Sequence, residues 1–172
     1  MPILVGTVMS VLNVLAYYLI PADFAERLGV FGYLGVFVVT AVANATVIVP
    51  VPYYGLVVAL AQQLNFLGVV LAGAAGSALG ESVAFFVGRS GRGAAKETRF
   101  YFWVQRQLTH PWRAFGVLFL LAAPPNPAFD VAGLLAGAMG LPFWMFLLAV
   151  FLGRIIRIGF IALIPDLFRW LS

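Results

Sequence analysis

Residues 122–133 read AAPPNPAFDVAG and interrupt a hydrophobic sequence that continues on both sides of them. This stretch contains Pro124, Pro125 and Pro127 together with one carboxylate, Asp130. Proline removes a backbone donor and clashes with the preceding helical turn, and an unpaired backbone group is costly in hydrocarbon. A membrane helix must therefore break here, and such a break is tolerated only where it is buried in protein or lines a wet cavity.

The composition of the chain is that of an integral membrane protein. Of its 172 residues, 63% are hydrophobic and 9% are charged, whereas a soluble domain would have about 25% charged residues. The net charge of +4 is expected to set the topology and to attract anionic lipid, so nucleic acid is not an expected partner. Without cysteine, and with His110 as its one histidine, the sequence excludes a His/Cys metal site. We expect neither a metal nor another cofactor.

The first part of the chain predicts an N-terminal helix, a broken hairpin and a transmembrane helix. Residues 1–29 contain the N-terminal helix, over residues 3–20, and an interfacial turn. In residues 30–64 a hydrophobic run stops at Pro50 and Pro52. The run that follows is too short to cross about 30 Å of hydrocarbon, so we interpret this region as a re-entrant hairpin. The residues predicted to span the membrane next are 66–88.

The one long polar stretch covers residues 89–113. It holds six basic residues and a single acid, Glu97, and the positive-inside rule assigns it to the cytoplasmic side as a basic loop. Its aromatic cluster at residues 100–103 suggests a segment that lies in the headgroup layer and is attracted to anionic lipid. The alternative is an ordinary loop that only sets the topology.

Residues 114–172 are expected to repeat the arrangement of residues 30–88. A hairpin over 114–140, broken at the motif Pro125-Asn126-Pro127, precedes a transmembrane helix over 141–164 and a short tail. Asn126 is expected to cap the half-helix that starts at Pro127.

Small residues recur at matching places in the two halves. Gly76 and Gly80 in the first half correspond to Ala149 and Gly153 in the second, at a spacing that lets helices approach closely. The glycines expected at helix contacts are Gly76, Gly80, Gly133 and Gly153. Each half has one returning hairpin and one crossing helix, so the second half is inverted, as in many transporters. The predicted fold is an all-α integral membrane protein with this inverted repeat and an extra N-terminal helix.

Four ionisable residues fall within the predicted hydrocarbon region: Glu81, Asp130, Arg154 and Arg157. Their charges sum to zero, as a buried and mutually paired set requires. One interpretation is structural, with Asp130 stabilising a helix end and Glu81 forming an ion pair with Arg154. The other is functional, with these groups lining a polar groove for a charged headgroup, because guanidinium groups and helix N-termini favour phosphate.

Several motifs together resemble a known family. They are Gly80-Glu81, Phe86-x-Gly88-Arg89, Pro125-Asn126-Pro127-x-Phe129-Asp130-x-Ala132-Gly133, Pro142-Phe143-Trp144 and Gly153-Arg154. Over residues 31–163 the chain resembles the DedA superfamily, also called the VTT-domain or SNARE-associated Golgi protein family. The proline-asparagine-proline motif most resembles the vacuole membrane protein branch.

The resemblance implies opposed re-entrant hairpins and lipid translocation. The eukaryotic branch scrambles phospholipid, and bacterial members recycle undecaprenyl phosphate or other lipids, often with the proton motive force. Glu81, Asp130 and Arg154 match charged positions of the branch. Two departures weaken the expectation of undecaprenyl phosphate specificity and proton coupling. Apolar residues and Pro125 replace arginines at the second break, and Tyr53-Tyr54-Gly55 replaces an acid after the first.

We therefore expect a lipid scramblase or flippase that is not an enzyme and whose partners are membrane lipids, either phospholipid or polyprenyl phosphate. The expected location is a prokaryotic cytoplasmic membrane, and the sequence leaves room for an oligomer. The alternatives are a proton-coupled transporter of a small solute, and a non-transporting membrane scaffold.

Overall fold

The computed structural model describes residues 2–21, 29, 31–45, 53–91, 99–124 and 128–171, and all regular structure within them is helical. The helices are α1 (Pro2–Leu19), α2 (Phe31–Ala45), α3 (Tyr54–Gln63), α4 (Phe66–Arg89), α5 (Arg99–Leu108), α6 (Pro111–Ala122), α7 (Ala128–Ala138) and α8 (Phe143–Leu171). Two of these, α4 and α8, are long and apolar enough to cross a membrane. The described part is thus all-helical, in agreement with the helical membrane protein that the composition predicts.

The helices on either side of each proline break are short. The first break separates α2, with 15 residues, from α3, with 10, and the second separates α6, with 12, from α7, with 11. At 1.5 Å per residue none of them is longer than about 23 Å, less than the roughly 30 Å of hydrocarbon in a bilayer. The break and capping residues themselves, Pro50, Pro52, Pro125, Asn126 and Pro127, lie outside the described residues.

Helix α4 is the centre of the described structure. It packs along α2 and also contacts α7 and α8. In the most hydrophobic part of α4, 67% of the residues are buried, compared with 33% in α8. The apolar surface of α4 is therefore used mainly for packing against protein, whereas α8 presents more of its surface to lipid.

The packing partners of the two halves correspond. Helix α2 packs along α4 in the first half, and α6 packs along α8 in the second. The helices that follow the breaks contact the long helix of the other half, since α3 touches α8 and α7 touches α4. Both long helices contribute to each of two hydrophobic clusters, one around Val36, Val57 and Ile158 and one around Phe85, Leu118 and Phe146.

Helix α1 is attached to the first turn of α3. The backbone N–H of Gly55 donates a hydrogen bond of 3.0 Å to the Asn13 side-chain oxygen. The first N–H groups of a helix have no partner within the helix. Asn13 therefore satisfies one of these donors from a distant part of the chain and fixes α1 against the helix that follows the first break.

The range 89–113, predicted as a basic loop with a segment in the headgroup layer, contains helical structure, because α5 lies inside it and α6 begins at Pro111. Val104 and Leu108 are four residues apart and are buried in the second cluster. The opposite face of α5 is exposed and includes Phe102 and Arg106. The apolar spacing that forms this helix is present in the sequence, but the high basic charge suggested a loop.

Helix α8 also runs further than the predicted range of 141–164. It continues to Leu171 with Pro165 inside it. Proline removes one backbone hydrogen bond and clashes with the carbonyl four residues earlier, but its fixed φ angle is compatible with a helix. Local adjustment in a membrane helix can accommodate such a residue, so Pro165 does not end α8.

Candidate functional site

Glu81 and Arg154 form a buried ion pair between the two long helices. Glu81 lies on α4 and is 3% exposed, and Arg154 lies on α8 and is 1% exposed. The Nη2 group of Arg154 donates a hydrogen bond to Oε1 of Glu81. This contact joins the first half of the chain to the second.

The ion pair leaves polar atoms without hydrogen-bond partners. Oε2 of Glu81 and both Nε and Nη1 of Arg154 are buried and unpartnered, as is Oγ of Ser77, one turn before Glu81. The large majority of buried polar groups in proteins are hydrogen-bonded, and leaving one unsatisfied costs about 1–3 kcal/mol. The site therefore has buried donors and acceptors that the described part of the chain does not satisfy.

Helix α7 contributes an aromatic ring and a second carboxylate to this place. The Phe129 ring centroid lies 5.2 Å from the guanidinium carbon of Arg154, which is within the range of a cation–π interaction. Asp130 lies in the first turn of α7 and is partly exposed. Its charge interacts with those of Arg154 and Glu81. Asp130 is therefore the most accessible of the three charged residues brought together here.

Arg157 lies one turn after Arg154 and contacts a different group. Its guanidinium carbon is 5.8 Å from the ring centroid of Tyr54, the first residue of α3. Its Nε atom is buried without a partner. No carboxylate is paired with Arg157 among the residues that the structure describes. Within that part of the chain the four predicted charges therefore do not form two ion pairs.

Tyr54 and Phe129 were not among the site residues predicted from the sequence. Each lies two residues after the second proline of a break, Pro52 or Pro127, and each ring faces an arginine of α8. This equal spacing after the two breaks is the feature of the sequence from which both rings could have been predicted as site residues. We call Glu81, Arg154, Asp130 and Phe129 the charged cluster.

Three of the four predicted packing glycines lie at close helix contacts. A Cβ on Gly76 or Gly80 would collide with the backbone of α2, and a Cβ on Gly153 would lie 2.8 Å from the carbonyl oxygen of Phe119 on α6. Gly133 is different, because the nearest atom to its Cβ position is 3.6 Å away, an ordinary contact distance.

The close contact between α4 and α7 occurs at two other glycines. A Cβ on Gly137 would collide with the carbonyl oxygen of Phe85, and a Cβ on Gly88 would collide with that of Leu134. Neither glycine was among the packing residues predicted from the sequence. Their backbones hold α7 against α4 and so position Phe129 and Asp130 beside Glu81.

The described residues contain no group of three or more His, Cys, Asp and Glu side chains that could hold a metal ion. The groups present in the charged cluster are guanidinium donors, carboxylate acceptors and an aromatic ring.

Comparison with known families and proteins identifies relatives. A family model of the VTT domain matches residues 51–167. Vacuole membrane protein KMS1 of Arabidopsis thaliana is 46% identical over 50 residues, which are 28% of this chain and 12% of the relative. Vacuole membrane protein KMS2 of the same plant is 45% identical over 42 residues, which are 24% of this chain and 10% of the relative. No solved structure matches.

These relatives are much longer than the matched segment, which spans about a tenth of their length. Their names refer to a eukaryotic vacuole membrane, so they give no support to the expected prokaryotic cytoplasmic membrane. The VTT family is a family of membrane proteins and is not generally enzymatic. Since the VTT domain covers more than half of the chain, this protein belongs to the VTT-domain (DedA, SNARE-associated) family, in which it resembles the vacuole membrane protein branch.

Proposed function

We propose that this protein moves lipids between the two leaflets of a membrane, as a phospholipid scramblase or lipid flippase. The VTT family is linked to membrane transport. The observation that carries the finer proposal is the incompletely satisfied Glu81–Arg154 pair inside the helix bundle. An ion pair that served only to hold α4 against α8 would be more stable with its remaining atoms hydrogen-bonded.

The charged cluster has the groups that a lipid headgroup needs when it leaves water. A phosphate requires donors, which Arg154 offers, and guanidinium groups bind phosphate well. The ammonium group of a zwitterionic headgroup requires acceptors, and Asp130 is a partly exposed carboxylate. Replacing water by these groups lowers the cost of moving the headgroup, while the acyl chains remain in hydrocarbon.

The proposal includes a re-entrant inverted repeat. The pairs α2–α3 and α6–α7 each consist of helices too short to span the bilayer, and we infer that each pair returns to the side from which it entered. The corresponding packing of the two halves supports this arrangement. So does the equivalent position of Gly80 and Gly153, each one residue before a charged residue of the ion pair. Breaks that face each other near the midplane are where transporters bind their substrates.

The test is a lipid-exchange assay in liposomes that contain the purified protein. A headgroup-labelled phospholipid in the inner leaflet is protected from a quencher that cannot cross the membrane, and we expect the protein to remove this protection. Asp130→Asn keeps the side-chain size and removes a charge, so we expect slower exchange. Arg113→Gln is the control, because Arg113 is exposed on α6 and outside the charged cluster.

Two results would contradict the proposal. Folded, inserted protein that gives no more exchange than empty liposomes would exclude lipid movement. Exchange that Asp130→Asn leaves unchanged would exclude the charged cluster as the path. Uptake of a small solute driven by a pH gradient, without lipid exchange, would support the solute transporter instead.

The scaffold function has one observation in its favour, the exposed basic and aromatic face of α5. If the protein only recruits a partner, replacing Phe102 and Arg106 on this face should abolish function in cells, whereas Asp130→Asn should not. If the protein transports lipid, Asp130→Asn should impair function more than the replacement of Phe102 and Arg106.

A further inference from the structure

A cavity of about 530 Å³ lies beside the second break, and it is lined by the end of α6 and by one face of α8. Ala123 and Pro124 form one wall, and Ile156, Phe160 and Ile164 belong to the other. These last three side chains are 51%, 63% and 37% exposed. They recur every four residues, on one face of α8. The cavity is therefore apolar and opens on the face that meets lipid.

Arg157 is the charged residue among those described that line this cavity. Its Nε atom is buried without a hydrogen-bond partner. The Tyr54 ring stabilises the guanidinium as a cation–π partner, and a ring face engages the positive charge without a conventional acceptor for the N–H donors. Arg157 thus borders the cavity with a guanidinium whose Nε–H donor has no acceptor in the described part of the chain.

The charge distribution favours an anion at Arg157 over one inside the charged cluster. Glu81 and Asp130 both act on Arg154, so one guanidinium there faces two carboxylates. Arg157 has no carboxylate partner in the described part of the chain. Inside the charged cluster two carboxylates reduce the attraction of Arg154 for a phosphate, whereas no carboxylate of the described part of the chain is paired with Arg157 to reduce its attraction.

We propose that Arg157 binds the phosphate of an anionic lipid whose acyl chain lies against Ile156, Phe160 and Ile164. That the ligand is a lipid rests on the proposed function. What is new is a second binding site, at Arg157, and a preference for headgroups with a net negative charge. Tyr54 is a positioning residue, because its ring fixes the guanidinium of Arg157 at the cavity.

The test measures binding to the purified protein in detergent, with three probes. They are dioctanoyl phosphatidic acid, dioctanoyl phosphatidylcholine with the same tails, and inorganic phosphate. We expect the wild type to bind phosphatidic acid most tightly, and Arg157→Gln to lower that affinity about tenfold or more. Arg113→Gln is the matched control, since it removes an exposed cation outside the cavity. This variant should bind phosphatidic acid as tightly as the wild type does.

Two variants of Tyr54 test the positioning role. Tyr54→Phe keeps the ring and should keep the affinity for phosphatidic acid, whereas Tyr54→Leu should lower it. Thermal unfolding of each variant in the same detergent identifies any change that reflects misfolding. Equal affinities of the folded Phe and Leu variants would overturn the role of Tyr54.

Three results would overturn the site itself. They are an unchanged affinity in Arg157→Gln, equal binding of phosphatidic acid and phosphatidylcholine, and binding of inorganic phosphate as tight as that of the lipid. The last result would assign Arg157 to free phosphate. If the wild type exchanges lipid normally in liposomes but does not prefer phosphatidic acid to phosphatidylcholine, this site is rejected and the proposed function is not. If the wild type binds phosphatidic acid as expected but exchanges no lipid, the proposed function is rejected and this site is not.

Discussion

Arg154 is almost fully buried, yet it carries a permanent charge. Glu81 accepts its hydrogen bond from α4, and the Phe129 ring contacts it from α7. Burial makes this arrangement sensitive to the loss of either partner, because the remaining charge is left without compensation. Replacing both charges together removes that penalty.

At the residue scale we therefore expect a large, non-additive effect on stability. Glu81→Gln should lower the free energy of unfolding by about 3–5 kcal/mol, because it leaves Arg154 buried and unpaired. The double variant Glu81→Gln with Arg154→Met should be closer to the wild type than this single variant. Thermal unfolding in detergent measures the changes, with the exposed Arg106→Gln as control. Additive effects would show that the pair has no coupling energy.

The site was partly predictable at this scale. Glu81, Asp130 and Arg154 stand out in the sequence because charged residues are rare in hydrophobic segments, and a Glu81–Arg154 pair was one of the two interpretations. The contact between Arg157 and Tyr54 was not predictable. It depends on where α3 lies against α8, and hydrophobic runs and proline positions carry no information about packing between distant helices.

The crossing of α4 and α7 depends on a backbone contact. Gly137 and Gly88 bring the two helices so close that neither position has room for a Cβ. Close approach through small residues is a main source of helix association in membranes, where burial of apolar surface gives little driving force. The orientation of Phe129 and Asp130 therefore depends on glycines outside the charged cluster.

At the element scale we expect Gly137→Ala to separate α7 from α4. The added methyl group would collide with the carbonyl oxygen of Phe85, and backbone cannot move as a flexible side chain does. Gly133→Ala is the matched control on the same helix, since its Cβ would lie 3.6 Å from Ala84. Thermal unfolding in detergent should show a clear loss for Gly137→Ala and little change for Gly133→Ala. Equal effects would contradict the close contact.

Helix bounds were well predicted where hydrophobic runs are long, as in α4, and poorly predicted where other signals compete. The six basic residues of 89–113 suggested a loop, although Val104 and Leu108 have helical spacing. The predicted range 141–164 stops before Pro165, although α8 continues beyond this residue. Gly133 lies within a recognisable motif, whereas the collision site at Gly137 depends on the three-dimensional position of Phe85.

At the scale of the whole molecule, the inverted repeat predicts which ends of the helices share a side of the membrane. The end of α3 and the end of α4 should lie on opposite sides, because α4 crosses. The start of α8 should lie on the same side as the end of α4, because the pair α6–α7 returns to the side from which it entered.

The absence of cysteine from the sequence makes this topology directly testable. We expect Asn65→Cys to react with an impermeant thiol reagent from one side of the membrane, and Ser90→Cys and Pro142→Cys from the other. All three positions are exposed. The wild type, which has no thiol, provides the background. If Pro142→Cys reacts from the same side as Asn65→Cys, then α6 and α7 together cross the membrane and the repeat is not re-entrant.

The ion pair between α4 and α8 also has a consequence for biosynthesis. Glu81 and Arg154 are separated by 73 positions in the chain, so a ribosome delivers the carboxylate to the membrane well before its partner exists. An unpaired charge at the centre of a membrane helix costs about 2.5–3.5 kcal/mol on insertion scales. During that interval α4 depends on its remaining hydrophobic residues, or on an insertion factor, to stay in the bilayer. A chain cut short before α8 would expose an unpaired acid, by which quality control can recognise an unfinished molecule.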